Sequence, residues 1–221
     1  MKLFSTLFAA TICFSSLYAS AKTDRVSELK AEIKEIATTA TADGRDLLAA
    51  RNDLSPLVNE LIAISPSQTE AERAELVVGG WVNLWTDNNF GPTLNPANVY
   101  QVVSPKGFYY NISRVPTRSG EVVTNFLRGA YEDKGSYLAI EFTANSVSNI
   151  DLNPGDELLP LAEKVEQGLL ATTPVPGPIG VTGALLNVYV DEDLRIVWGN
   201  SSQNSRPLLF ILERTDTVRS R

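Results

Sequence analysis

The three consecutive acids Asp191, Glu192 and Asp193 are the residues whose type and spacing come nearest to a catalytic set. Carboxylates grouped in a pocket can split their pKa values, one acting as acid and the other as base, and Glu141 is a further carboxylate that could join them. The plainer reading makes Asp191 to Asp193 turn residues, their carboxylates bonding nearby backbone N–H groups and Arg195. Other chemistry is thin. The chain has no histidine and one cysteine, Cys13, so the common general base, the thiol nucleophile and the soft metal ligands are lacking once the N-terminus is removed. An Asp-x-Asp spacing alone is weak grounds for calcium, and no glycine-containing ligand loop follows it. No catalytic residue, metal or cofactor is therefore assigned.

The elements around the acids are strands. Leu185 to Val190 and Leu194 to Trp198 are short β-branched and aromatic runs, which predicts a hairpin turning at 191–193. Gly199 to Ser202 breaks the pattern again before a last strand, Leu208 to Arg214. Upstream, Leu76 to Thr86, Ala97 to Val103, Gly107 to Val115, Glu121 to Tyr131 and Gly135 to Asn145 are similar runs separated by turn residues. That makes about eight strands at short spacing with no helices interleaved, a pattern that predicts an antiparallel closed barrel, since closure removes exposed edges.

Two helical stretches precede the strands. Val26, Leu29, Ile33, Ile36 and Ala40 share one helical face between Asp24 and about Thr41, with charged residues on the other sides reading as a solvated face. A second helix is expected over Leu54 to Ile64, ended by Ser65-Pro66. Both must bury their stripes, and packing across one open end of the barrel is the expected place. Ser67 to Glu75 reads as a polar connection with at most one helical turn. Residues 151–183 break the strand pattern. A short helix over Asp156 to Leu170 and a Pro/Gly-rich run around Pro176 suggest a lid or flap.

Residues 1–21 pair Lys2 with an apolar run and end in Ala19-Ser20-Ala21, the anatomy of a secretory signal peptide cleaved after Ala21. The apolar run is too short for a membrane-spanning helix. The expected organisation is thus a signal peptide (1–21), a helical segment (22–75), a β-barrel (76–214) and a tail (215–221). A cysteine-free exported chain points to a periplasmic or secreted protein, most simply of a bacterial envelope. Removing residues 1–21 takes away one positive charge and no negative one, so the net charge of −7 becomes −8. Nucleic acid is disfavoured as a partner.

Tyr189-Val190-Asp191-Glu192-Asp193-Leu194-Arg195-Ile196, the glycine at 199 and Phe210 to Arg214 resemble the C-terminal signature of the plastid lipid-associated protein (PAP)/fibrillin family. Gly79 to Thr86 resembles that family's Gly-x-Trp strand, and Val99 to Val103 with Phe108 to Asn111 its second and third strands. The resemblance spans about residues 26–214, although 151–183 has no counterpart. It implies a lipocalin-like barrel that binds a lipid, isoprenoid or other small hydrophobic molecule. It also implies a cationic residue of the last strand, Arg214, covering Trp81. Peripheral association with a lipid surface is compatible with it, and the chain is expected to be a monomer.

An eight-stranded barrel is just wide enough to be filled by side chains or to hold one small ligand. Trp85, Tyr100, Tyr110, Phe126, Phe142 and Tyr189 are the expected lining of an apolar cavity, oriented by polar groups such as Asn83, Gln101, Asn125 or Arg128 and gated by the helical N-terminus or the loop near Pro176. Two other outcomes stay open: a filled barrel whose helices or acidic flap dock a partner, and an enzyme using Asp191, Asp193 or Glu141. A carboxylate at the cavity floor would favour the enzyme.

Overall fold

The computed structural model describes residues 5–89, 94–117, 119–203 and 205–219, with side chains from residue 22 onward. Cys13 and the Ala19 to Ala21 site lie outside the described side chains. Among the described residues no helix is long and apolar enough to cross a membrane.

Among the described residues, nine antiparallel strands form one sheet that closes in a ring: β1 (Gly79–Thr86), β2 (Val99–Val103), β3 (Phe108–Pro116), β4 (Val122–Asp133), β5 (Tyr137–Ser148), β6 (Thr173–Pro174), β7 (Thr182–Val190), β8 (Leu194–Ser201) and β9 (Leu208–Arg214). Strand neighbours in the ring follow chain order, apart from β6, a two-residue strand that pairs only with β5. The ring is sealed by β1 against β9, where Trp81 pairs with Arg214 and Asn83 with Leu212. The strands of the sequence reading are all present, β6 being an addition of two residues.

Helix α1 runs from Ser5 to Ala42 and α2 from Leu47 to Ile64, the latter capped by Asp46, whose carboxylate accepts from the Ala49 N–H at 2.8 Å. This α2 begins a full two turns before the expected Leu54. Pro56 therefore sits inside the helix, a position that costs about 3 kcal/mol and is offset here by burial of Ala50, Leu54, Val58 and Leu61. The two helices do not cover an end of the ring. Their stripes, Leu29, Ile33 and Ala37 of α1 with Leu54 and Leu61 of α2, pack on Trp85, Leu194, Ile196, Leu209 and Ile211, which form the outer face of β1, β8 and β9. The sheet there carries apolar residues on both faces, so covering the outer one removes more apolar surface from water than plugging a narrow opening would.

The end of the ring is closed instead by α3 (Glu70–Val77), in the stretch read as a polar connection. Thr69 and Glu72 make a reciprocal capping box, and Val77 is buried among Trp81, Val103, Leu138 and Val190, with the Trp81 indole N–H donating to the Val77 carbonyl at 2.9 Å. The 151–183 region is not a loose flap. Within it α4 (Leu158–Glu166) buries Leu158 and Ala162 on the outer face of β2 and β3, and Glu166 accepts hydrogen bonds from the Tyr110 hydroxyl (2.6 Å) and Arg128 Nε (2.5 Å). Residues 215–219, expected as a tail, are built in. Thr215 N–H donates to the Gly80 carbonyl, Leu158 N–H to Asp216, and Val218 is buried beside Leu152.

Candidate functional site

The interior of the ring is half filled. Towards α3, Trp81, Val103, Leu138, Val190, Val197 and Leu212 pack together with Val77. Towards the other end, the same inward-facing positions enclose a cavity of about 350 Å³, near the lower bound of small-molecule sites. Its wall is apolar: Leu127 of β4, Ile140 and Phe142 of β5, Leu185 of β7, and Leu208 and Phe210 of β9. Its mouth is formed by Asn88, Gln203 and Ser201, together with Pro178 and Val181 from the loop that follows Pro176. The loop named as a gate thus contributes to the mouth, whereas α1 and α2 lie elsewhere.

Polar side chains gather deeper in, at Asn83, Gln101, Tyr109 and Asn111. The Tyr109 hydroxyl donates to Asn111 Oδ1 at 2.8 Å, and burial pushes its pKa up, so it is a neutral donor at physiological pH. Asn83 Nδ2 donates to the Val99 carbonyl at 3.2 Å, which leaves Asn83 Oδ1 buried with no hydrogen-bond partner. Beneath Gln101 lies Arg195, wholly buried, with Nε on Asn187 Oδ1 at 2.8 Å and Nη1 on Gln101 Oε1 at 3.3 Å.

Five of the six residues expected to line the cavity are outside the ring. Trp85 and Tyr189 pack beneath α1 and α2. Tyr100, Tyr110 and Phe126 pack beneath α4 and the C-terminal segment, with the Tyr100 hydroxyl accepting from the Arg219 N–H and Tyr110 edge-on to both Phe108 and Phe126. Phe142 alone of the six lines the cavity. The error is one of parity. Successive side chains of a strand face opposite sides, and here both sides are buried, so alternation cannot say which is inside. Among the orienting polar groups, Asn83 and Gln101 line the cavity, while Arg128 faces outward to Glu166 and Asn125 pairs with Asn145. Tyr109, Asn111 and Arg195 were not anticipated as interior. The signal for them was the need of three amphipathic helices for an apolar outer sheet face, which assigns Leu194, Ile196 and Trp198 outward and their neighbours Arg195 and Val197 inward.

The acidic turn is where the hairpin reading puts it, between β7 and β8, with Asp191 Oδ1 accepting from the N–H groups of Asp193 and Leu194, each at 2.8 Å. Arg195 is not tied to it. Lysines of α1 take that place: Lys30 Nζ lies 2.6 Å from Asp191 Oδ2, and Lys34 binds both Asp193 (3.1 Å) and Glu213. Of the charged residues of α1 read as solvated, Glu28, Glu32 and Glu35 are exposed, while Lys30 and Lys34 are its electrostatic dock. An arginine one residue beyond a two-strand turn must point to the sheet face opposite its neighbours, and that face is the interior. Glu141 is exposed on the outside of β5. No Asp or Glu lines the cavity among the described residues. Arg214 does cover Trp81, with Cζ 4.2 Å from the ring centroid.

No family model matches the chain, and neither do any curated protein or solved structure.

Proposed function

We propose that the ring binds one small, predominantly apolar molecule in this cavity, acting as an exported, lipocalin-like carrier. The observation that carries the reading is the half-filled interior. An apolar wall of Leu127, Ile140, Phe142, Leu185 and Phe210 stands above a small set of buried polar groups, which is the composition of a site that sequesters an apolar body and fixes one polar end. The resemblance of residues 189–214 and 79–86 to the PAP/fibrillin signature supports the same class of ligand. The test is titration of the mature protein with a short neutral polyene, followed by fluorescence. Saturable binding at one site per chain is expected, with loss of affinity in Leu185→Trp, which puts an indole into the cavity. A folded protein that binds no polyene would defeat the reading.

A further inference from the structure

Arg195 is a fully buried cation whose hydrogen-bond partners, Asn187 and Gln101, are both neutral amides. Its Nη2 has no partner at all, and no carboxylate lies within ion-pair distance of it among the described residues. The charge that shares the Trp81 ring with it has the same sign. Arg195 Cζ lies 5.8 Å and Arg214 Cζ 4.2 Å from the centre of the same Trp81 ring. Burial, opposed by Tyr109 and reinforced by Arg214, pushes the Arg195 pKa down to about 10, which leaves the guanidinium protonated at neutral pH. A buried charge with an unspent donor and no counter-charge is a costly arrangement, and proteins keep such groups paired.

The place of this charge in the fold decides what would pair it. Arg195 and Asn83 both sit opposite Leu212 of β9, so they occupy one level of the ring, and Gln101 is at once the acceptor for Arg195 Nη1 and part of the cavity lining. The guanidinium is one side chain below the cavity floor, and its bond to Gln101, at 3.3 Å, is long for a charge-assisted one. Gln101 is thus the side chain that stands between the guanidinium and the cavity. Arg214 does not compete for a ligand there, because its Nη1 and Nη2 donate to the carbonyls of Val78 and Leu76 at the end of α3.

We infer that the molecule held in this ring is an apolar carboxylic acid, its carboxylate displacing the Gln101 amide to reach Arg195 beneath the cavity floor and its hydrocarbon body lying against Ile140, Phe142, Leu185 and Phe210. With Gln101 displaced, Nη1 joins the unpartnered Nη2 as an edge of two donors, which matches a single planar carboxylate. Asn83 Oδ1 can only accept, so it takes a hydroxyl of the ligand or a water and not the carboxylate. This inference rests on the binding function proposed above and adds the chemistry of the ligand's head.

Calorimetric titration of the mature chain with decanoate and with decanol separates the two. The body of the ligand is the same and only the head differs. Decanoate is expected to bind at least about tenfold more tightly than decanol, the worth of one charge-assisted hydrogen bond in a desolvated site. In Gln101→Glu, which offers Arg195 an internal carboxylate of the same shape, the ratio of the two affinities should collapse or invert. Arg195→Gln should do the same where it folds. Equal binding of acid and alcohol by the native protein would overturn the inference and leave the apolar cavity standing, as would a preference for decanoate that survives Gln101→Glu. Binding of neither, by folded protein that also ignores the neutral polyene, would remove both the inference and the function beneath it.

Discussion

The guanidinium of Arg214 lies over the indole of Trp81, Cζ to ring centroid 4.2 Å, and the same two residues are paired across β1 and β9 where the ring closes. Arg214 also donates to the carbonyls of Leu76 and Val78, so one side chain ties the last strand to the first and to the helix that plugs the ring. Arg214→Ala is expected to destabilise by about 2 kcal/mol, combining a partly desolvated cation–π contact with the lost bonds to helix-end carbonyls. The thermal midpoint should fall by roughly 4–8 °C. Arg214→Lys should recover part of this, since an ammonium cannot stack and donate to both carbonyls together.

Lys30 and Lys34 fasten α1 to the acidic turn, and Asp191 serves two masters: the lysine and the backbone N–H groups of its own turn. Asp191→Ala should therefore cost more than Lys30→Ala, about 2 kcal/mol against less than about 1 kcal/mol, because a partly exposed ion pair still reached by solvent is weak while the turn bonds are lost outright. Urea midpoints of the two variants check the order. If the lysine variant proves the more damaging, the ion pair and not the turn is the dominant contact.

The acid response of the protein follows from the same residues. Burial opposes ionisation of Asp191, but Lys30, the Tyr189 hydroxyl and the turn N–H groups outweigh it and hold its carboxyl below the usual range. Glu213 is held down likewise, burial being outweighed by Lys34 and Arg219. A carboxyl whose native pKa is depressed stabilises the fold above its unfolded value, about 4, and that contribution is lost as pH falls through the lower native value. Stability should thus decline below about pH 4. The decline should be shallower in Lys30→Ala/Lys34→Ala, measured as urea midpoints at neutral and acid pH, and equal slopes would remove these pairs from the acid response.

Gly80 holds the C-terminal segment against β1. A Cβ at Gly80 would meet the Thr215 carbonyl oxygen well inside contact distance and Leu158 Cδ1 at 3.1 Å. Backbone cannot yield as a side-chain tip can, so Gly80→Ala is expected to cost about 3 kcal/mol and to free residues 215–219 for proteolysis. Gly44→Ala, at φ +60° with no atom within 4 Å, should cost only about 1–2 kcal/mol through its left-handed backbone. Limited proteolysis read by intact mass distinguishes the two.

Strand order and hairpins were legible in the sequence because turn residues punctuate short β-branched runs, as at Asp133 to Gly135 and Asp191 to Asp193. The helix α3 was read as a polar connection because its composition is charged, and the signal that marks it is the Thr69-x-x-Glu72 capping box. What local pattern could not convey was which face of each strand is inside. Leu194, Ile196 and Trp198 are the more apolar face of β8, yet they turn outward because α1 and α2 supply an apolar surface there. Arg195 reads as a partner for the acids four residues around it, and only the closed ring shows that its face of the strand leads inward to Gln101. Inside and outside are properties of the whole chain, set by which elements cover which sheet face.

Parity is also what a pair of substitutions can expose. Phe126 is nearly wholly buried, edge-on to Tyr110 at 6.4 Å between ring centres and packed under α4, outside the ring. Leu185 lines the cavity from the inner face of β7. Both positions would receive an indole, so hydrophobicity and bulk change in the same direction, and only the side of the sheet differs. Phe126→Trp overpacks a filled core and should cost about 1–3 kcal/mol with polyene affinity unchanged. Leu185→Trp has cavity space to enter, so it should destabilise less while reducing affinity at least about tenfold, the loss of roughly 1.4 kcal/mol of ligand contact. Affinity and thermal midpoint measured on both proteins give four numbers and one crossing pattern. The opposite crossing, with Phe126→Trp blocking the ligand and Leu185→Trp disturbing the fold, would place the binding site beneath α4 instead of inside the ring.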